Sequence, residues 1–231
     1  MTPDLNMLDA GTQCFPLYWY EEKDEDLFGN KTLIKHDGVS DFILKEARNR
    51  YRTATISKED IFYYVYGFLH QADYRTTFAA DLKKTLPRLP LVERFEEFKA
   101  FSDAGRQLAA LHLNYETLEP YPLTEVGDFF DKRIEKMSFP KKDKTRVLVN
   151  STLMLEGIPL EAHDYVVNGR SPIEWVLDRY QVKTDKVSGI TNDPNLWAPE
   201  NPRYIPDLIK RLVTLSLESL RIIKTLPKIT F

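Results

Sequence analysis

Pro120 and Pro122 constrain this chain more than any other pair of residues. A proline fixes φ and has no amide proton, so neither a helix interior nor a central strand runs through it. Before the pair, apolar residues recur at helical spacing. After it, the period shortens to that of strands. The chain therefore reads as α+β and predominantly helical. A helical subdomain with an N-terminal strand is expected over 1–120. A second subdomain, with a small antiparallel β element and long helices, is expected over 121–231. The length of 231 residues and the 42% hydrophobic content suffice for a buried core.

In the first half, Cys14 to Tyr20 reads as a strand near the core, and Glu21 to Asp26 as a solvated acidic loop. Four helices are expected next. The first spans about Ser40 to Arg52, with Phe42, Ile43, Ala47 and Tyr51 inward and Lys45, Arg48, Arg50 and Arg52 outward. Ser57 and Asp60 form a capping pair for the second, Ile61 to Leu69, which is apolar almost all round. The third runs from about Asp73 to Leu86 and the fourth from about Val92 to Tyr115.

In the second half, Phe129 to Phe139 and Thr145 to Leu155 read as two strands joined by a polar turn, Pro140 to Lys144. A short strand, Tyr165 to Val167, meets an Asn168-Gly169 turn. Ser171 then caps a helix with Pro172 at its first position. A polar loop follows, with Lys183, Lys186 and Asn192, flanked by Trp175, Tyr180 and Trp197. Its chemistry suits recognition better than core. A last amphipathic helix starts after Asn201-Pro202 and ends at Pro227.

Several chemistries have no support. There is no GxxxxGK[ST] or GxGxxG for nucleotide phosphates, no GxSxG, and no HxxxH or HExxH among His36, His70, His112 and His163. Asp81 with Glu97 and Lys99 imitates a nuclease triad by letters only, because residues two apart on a helix point apart. Asn192-Asp193-Pro194-Asn195 lacks the second proline and the aromatic of a base-gripping methyltransferase element, and reads as a turn. With Cys14 alone there is no disulfide framework, and no segment has the apolar length of a membrane span. No catalysis, metal, cofactor or membrane partner is expected.

Binding remains. The net charge is −3, yet basic residues gather in three places: Lys45 to Lys58, Lys132 to Arg146, and Arg170 to Lys186. Lys and Arg neutralise phosphates, and Arg, Lys and Asn also read base edges. Arg50, Arg52, Lys141, Lys142 and Lys144 are the expected phosphate contacts. Arg170, Lys183, Lys186 and Asn192 are the expected base contacts. An alternative uses the aromatics Tyr63, Tyr66, Phe95, Phe98 and Phe101 as an exposed docking face for a neighbouring domain.

Three stretches resemble the C-terminal part of type ISP enzymes, the bacterial single-polypeptide restriction–modification translocases. They are FPLYWY (Phe15 to Tyr20), IFYYVYGFLHQADYRTTFAADLKKTLPRLPL (Ile61 to Leu91) and DYVVNGRSPIEWVLDRYQVKTDKVSGITNDPNLW (Asp164 to Trp197). GRQLAALHLNYE (Gly105 to Glu116) is similar to a segment that follows the methyltransferase domain in related polypeptides. The resemblance runs from about Gln13 to Pro227. It implies a target-recognition domain cut from a longer cytoplasmic protein, with nuclease, helicase-like ATPase and adenine methyltransferase activities elsewhere. The implied partners are double-stranded DNA and the methyltransferase domain of the same polypeptide.

Overall fold

The computed structural model describes residues 14–23, 32–128, 130 and 132–229. The chain divides into two compact units, Met1–Arg106 with Leu226–Phe231, and Gln107–Thr225. Pro120 and Pro122 lie within the second.

The first unit opens on an antiparallel hairpin, β1 (Tyr18–Lys23) with β2 (Thr32–Asp37), in which Tyr18 faces Asp37 and Lys23 faces Thr32. The expected strand is present but it is not near the core. Every β1 residue after Tyr18 is exposed, and Trp19 stacks on His36 across the hairpin with centroids 4.2 Å apart. Of the acidic run, Glu21 and Glu22 stand in β1, and Asp24 to Asp26 lie outside the described residues.

Four helices follow: α1 (Asp41–Tyr51), α2 (Lys58–Phe68), α3 (Ala72–Thr77) and α4 (Phe95–Leu113). Ser40 caps α1, and Ser57 and Asp60 form the reciprocal capping box of α2. Two expectations need correction. Phe42, in the first turn of α1, is 72% exposed rather than inward. The third helix stops at Thr77 instead of reaching Leu86. Two β-branched threonines close it, and the chain continues in isolated turns such as Leu82 N–H to Phe78 O at 2.9 Å.

The core of this unit is aromatic. Tyr64, Phe68, Phe98 and Phe101 are buried, and Tyr64 stacks on Phe98 at 4.9 Å. Tyr63, Tyr66 and Phe95 are half-buried. The aromatic load is therefore spent on folding, and the docking alternative loses the exposed face that motivated it. Gly67 of α2 and Gly105 of α4 let the two backbones meet. A Cβ at Gly67 would lie 2.2 Å from the Phe101 carbonyl oxygen, and one at Gly105 would lie 1.9 Å from that of Tyr63.

The second unit is built on a three-stranded antiparallel sheet ordered β3 (Thr124–Gly127), β5 (Leu153–Glu156), β4 (Arg146–Leu148). The helices α5 (Pro172–Arg179) and α6 (Tyr204–Lys224) supply the apolar faces that cover it. Val147, Leu153, Leu155, Ile173, Ile209 and Val213 are completely buried. Each apolar side chain of this size removed from water contributes roughly 1.5–3 kcal/mol.

The expected hairpin of 129–139 with 145–155 is not what forms. The turn lies at 149–152, between β4 and β5, and the third strand is β3. Phe129 and Asp131 lie outside the described residues. Residues 132–137 are not a strand, because side-chain amides take the place of strand partners. Asn195 accepts from Ile134 N–H at 2.7 Å and donates to Ile134 O at 3.0 Å. Asn150 donates to Arg133 O at 2.9 Å. Among the described residues of that stretch, only Ser138 reaches the sheet, in a bridge to Leu148.

One carboxylate ties β3 to α6. Glu125 accepts from Lys132 Nζ, Arg203 Nη2 and Lys210 Nζ, each at 2.6 Å. Its side chain is 12% exposed and Lys132 is 5% exposed. The Arg203 hydrogen bond, helped by the two lysines, outweighs burial and holds the Glu125 carboxyl far below the usual carboxylate range. Lys132 is thus a buried structural cation, not part of a basic surface as the sequence cluster suggested.

Candidate nucleic-acid interface

The local sequence around α5 brings two of the basic stretches together. Asn168 and Gly169 both have positive φ, 49° and 83°, and Val167 bridges Arg170 across them. This is a tight hairpin turn of the kind Asn-Gly favours. Ser171 then caps α5, with Pro172 at its first position and Glu174 closing the capping box. Glu174 also accepts from Lys144 Nζ at 2.8 Å. Burial alone would raise its carboxyl, but the Lys144 and Ser171 hydrogen bonds prevail and lower it.

His163 closes the loop. Its Nε2 lies 2.9 Å from the Lys144 carbonyl oxygen and its Nδ1 lies 3.1 Å from Ser171 Oγ. A carbonyl can only accept, so the proton belongs on Nε2, and Nδ1 takes the serine hydroxyl. The lysine turn and the head of α5 are therefore fastened at both ends.

That turn carries Lys141 and Lys142 at φ 52° and 64°, both exposed and neither within ion-pair distance of a described carboxylate. Left-handed backbone costs a non-glycine residue about 1–2 kcal/mol. Glycine removes that cost but adds roughly 0.5–1 kcal/mol of chain entropy. The double variant Lys141→Gly, Lys142→Gly is expected to unfold in urea at or slightly above the wild-type midpoint. A midpoint lowered by more than about 1 kcal/mol of stability would mean that the lysine side chains serve the fold.

Along α5, Arg170 Nη1 pairs with Asp178 Oδ2 at 3.0 Å and its guanidinium lies 5.2 Å from the Trp175 ring centre. Arg179 lies 5.6 Å from the same ring, and Trp175 Nε1 donates to Val167 O at 2.8 Å. A groove then runs between the end of α5, at Asp178 and Arg179, and a small hairpin, at Lys183, Asp185, Ile190 and Asn192. The hairpin is β6 (Lys183–Thr184) with β7 (Thr191–Asn192), in which Lys183 faces Asn192. Beyond it Asp193 caps a short turn, Pro194–Leu196, as expected for that sequence.

In the second unit, Lys144 pairs with Glu174, Arg170 with Asp178, and Lys183 with Asn192 lines the groove at the end of α5; Lys141, Lys142 and Lys186 lie close to these residues in sequence. Residues 140–146 and 170–192 hold eight Lys or Arg against four acids, in a chain of net charge −3. Lys144 and Arg170 are committed to Glu174 and Asp178. Lys183 and Lys186, like Lys141 and Lys142, make no ion pair among the described residues. Arg50 and Arg52 belong to the first unit. Arg50 Nε donates to Val92 O at 3.0 Å, and Arg52 caps α1 in the left-handed conformation. Arg179 was not singled out from the sequence. Its position four residues after Trp175 is the signal that would have placed it on the same helix face.

The profile of the Type ISP C-terminal specificity domain matches residues 1–208. Among solved structures, the ATP-dependent Type ISP restriction-modification enzyme LlaBIII bound to DNA is 36% identical over 98% of this chain, with a TM-score of 0.84. A nuclease-deletion mutant of the Type ISP enzyme LlaGI, in complex with a DNA substrate mimic, is 44% identical over 76% of it, with a TM-score of 0.69. The DrdV–DNA complex is 29% identical over 90%, with a TM-score of 0.74. This chain covers 14%, 14% and 21% of those three chains respectively. No curated protein matches it.

Proposed function

The chain belongs to the Type ISP C-terminal specificity domains, and from that premise we propose that its second unit reads duplex DNA without catalysis of its own. The observation that carries this reading is the Lys144–Glu174 link. It fastens the lysine turn to the helix whose other end borders the β6–β7 hairpin, making one basic surface of two separate stretches. Lys141 and Lys142 anchor phosphates on this surface; Arg50 and Arg52, in the first unit, are proposed separately as phosphate contacts. Arg170, Lys183, Lys186 and Asn192 meet base edges. The relatives named above were solved with DNA or a DNA mimic, which supports the choice of ligand.

Cleavage, ATP-driven movement and adenine methylation would then reside in a longer polypeptide, with a methyltransferase domain as neighbour, working in the cytoplasm. No described helix is long and apolar enough to cross a membrane.

Binding to a labelled duplex, titrated from low to high salt, tests the reading. The logarithm of affinity should fall linearly with the logarithm of salt, by about 0.9 per phosphate neutralised. Replacing Lys141 and Lys142 by Ala should flatten that slope by up to about 2. An unchanged slope would move the DNA to another face.

A further inference from the structure

The tip of the β6–β7 hairpin spends its polar groups on itself and leaves Val187, and to a lesser degree Ile190, outside the core. Asp185 Oδ1 accepts from Val187 N–H at 3.0 Å, Ser188 N–H at 2.7 Å and Ser188 Oγ at 2.9 Å. Asp185 N–H donates to Ile190 O, and Gly189 N–H to Asp185 O, both at 2.9 Å. The hydroxyls of Thr184 and Thr191 meet at 2.8 Å below the turn. The backbone amides of Asp185, Val187, Ser188 and Gly189 are thereby satisfied and held. Val187, at the centre of this frame, is 98% exposed. A β-branched side chain has a stiff first torsion, so a fixed backbone presents its methyls in a fixed direction.

The neighbours point to what covers the valine. Lys186 adjoins it in sequence, and the Lys183–Asn192 pair stands at the foot of the same ribbon. Cations on a two-stranded ribbon with an apolar apex complement the major groove. That groove admits such a ribbon and displays one apolar group, the thymine C5 methyl, among its polar edges.

We infer that the β6–β7 hairpin enters the major groove tip first and that Val187 packs on a thymine methyl, making it a specificity-determining residue. The inference rests on the DNA-reading function proposed above. Lys186, next to Val187 in sequence, meets the edge of an adjoining base pair. Asn192 and Lys183 read the pairs nearer the groove mouth. The contact discriminates thymine from cytosine at one position through burial of a methyl, worth about fourfold in affinity at the transfer value of ~0.8 kcal/mol per buried carbon.

The test uses the whole protein and duplexes chosen by the protein from a randomised pool. Each thymine of the preferred sequence is replaced singly by deoxyuridine, which removes only the methyl. One position is expected at which deoxyuridine weakens wild-type binding about fourfold. At that position Val187→Ala should bind thymine and deoxyuridine within a factor of about two, because the shortened side chain reaches the methyl poorly. The thermal midpoint of Val187→Ala should match wild type, since a 98% exposed side chain supports nothing. If no thymine responds, or if the two proteins lose affinity equally, the valine assignment falls while salt-dependent DNA binding stands. If the wild type binds no duplex in a salt-dependent manner, the assignment falls together with the reading beneath it.

Discussion

Glu125→Gln is expected to destabilise the second unit by about 3–5 kcal/mol, the range for breaking a buried ion pair by removing one partner. The substitution preserves size and shape. It removes the carboxylate charge that Lys132 and Lys210, both buried, share. Arg203 keeps Asp207 at 3.0 Å and so loses less. The pH dependence follows from the direction of the shift. The folded-state pKa of Glu125 lies far below that of an unfolded carboxyl. Its stabilising effect is therefore complete above the unfolded carboxylate pKa, and fades as pH falls toward the depressed folded value. Urea unfolding of wild type and variant should differ most near pH 7 and converge in acid. A difference below about 1 kcal/mol at pH 7 would show that water reaches the cluster and screens it.

Gly105→Ala should also destabilise, by about 3 kcal/mol, against the ordinary sign for this exchange. In an open helix alanine is better than glycine by about 1 kcal/mol. Here the new Cβ would stand 1.9 Å from the Tyr63 carbonyl oxygen, and the obstacle is backbone rather than a side chain that can swing away. Either α2 and α4 separate or one bends. Both routes open the aromatic packing of Tyr64, Phe68, Phe98 and Phe101. Near-ultraviolet circular dichroism, which reports those rings, should change before helix content does. A variant as stable as wild type would mean that the helices are not in backbone contact.

What was legible in the sequence was local. Ser57 with Asp60, Ser171 with Pro172, and Asn168-Gly169 announce themselves because the atoms they bind lie within four residues. The missed elements depend on distant partners. Residues 132–134 have the composition of a strand, but their hydrogen bonds go to Asn150 and to Asn195, some sixty positions on. The apolar run from Cys14 to Tyr20 suggests core, but its partner β2 lies far on in sequence and the hairpin the two form is largely exposed. The site followed the same rule. Its residues could be named from charge, yet nothing in the letters says that Lys144 meets Glu174 or that Lys132 is buried.

The β6–β7 hairpin is closed at its neck. Tyr180 meets Trp197 edge to face at 4.8 Å, and Asn195 is clamped to Ile134 just inside that closure. The residues from Lys183 to Asn192 are all exposed. None of them belongs to the buried core of the second unit. A segment fastened at its root and absent from the core can change its letters, and within limits its length, without cost to what holds it. If the hairpin reads DNA as proposed, it would be an exchangeable cassette: new target preferences could be acquired by rewriting these ten positions while the clamp residues stay fixed. Grafting the segment of one relative between Tyr180 and Trp197 of another is the corresponding experiment in protein engineering.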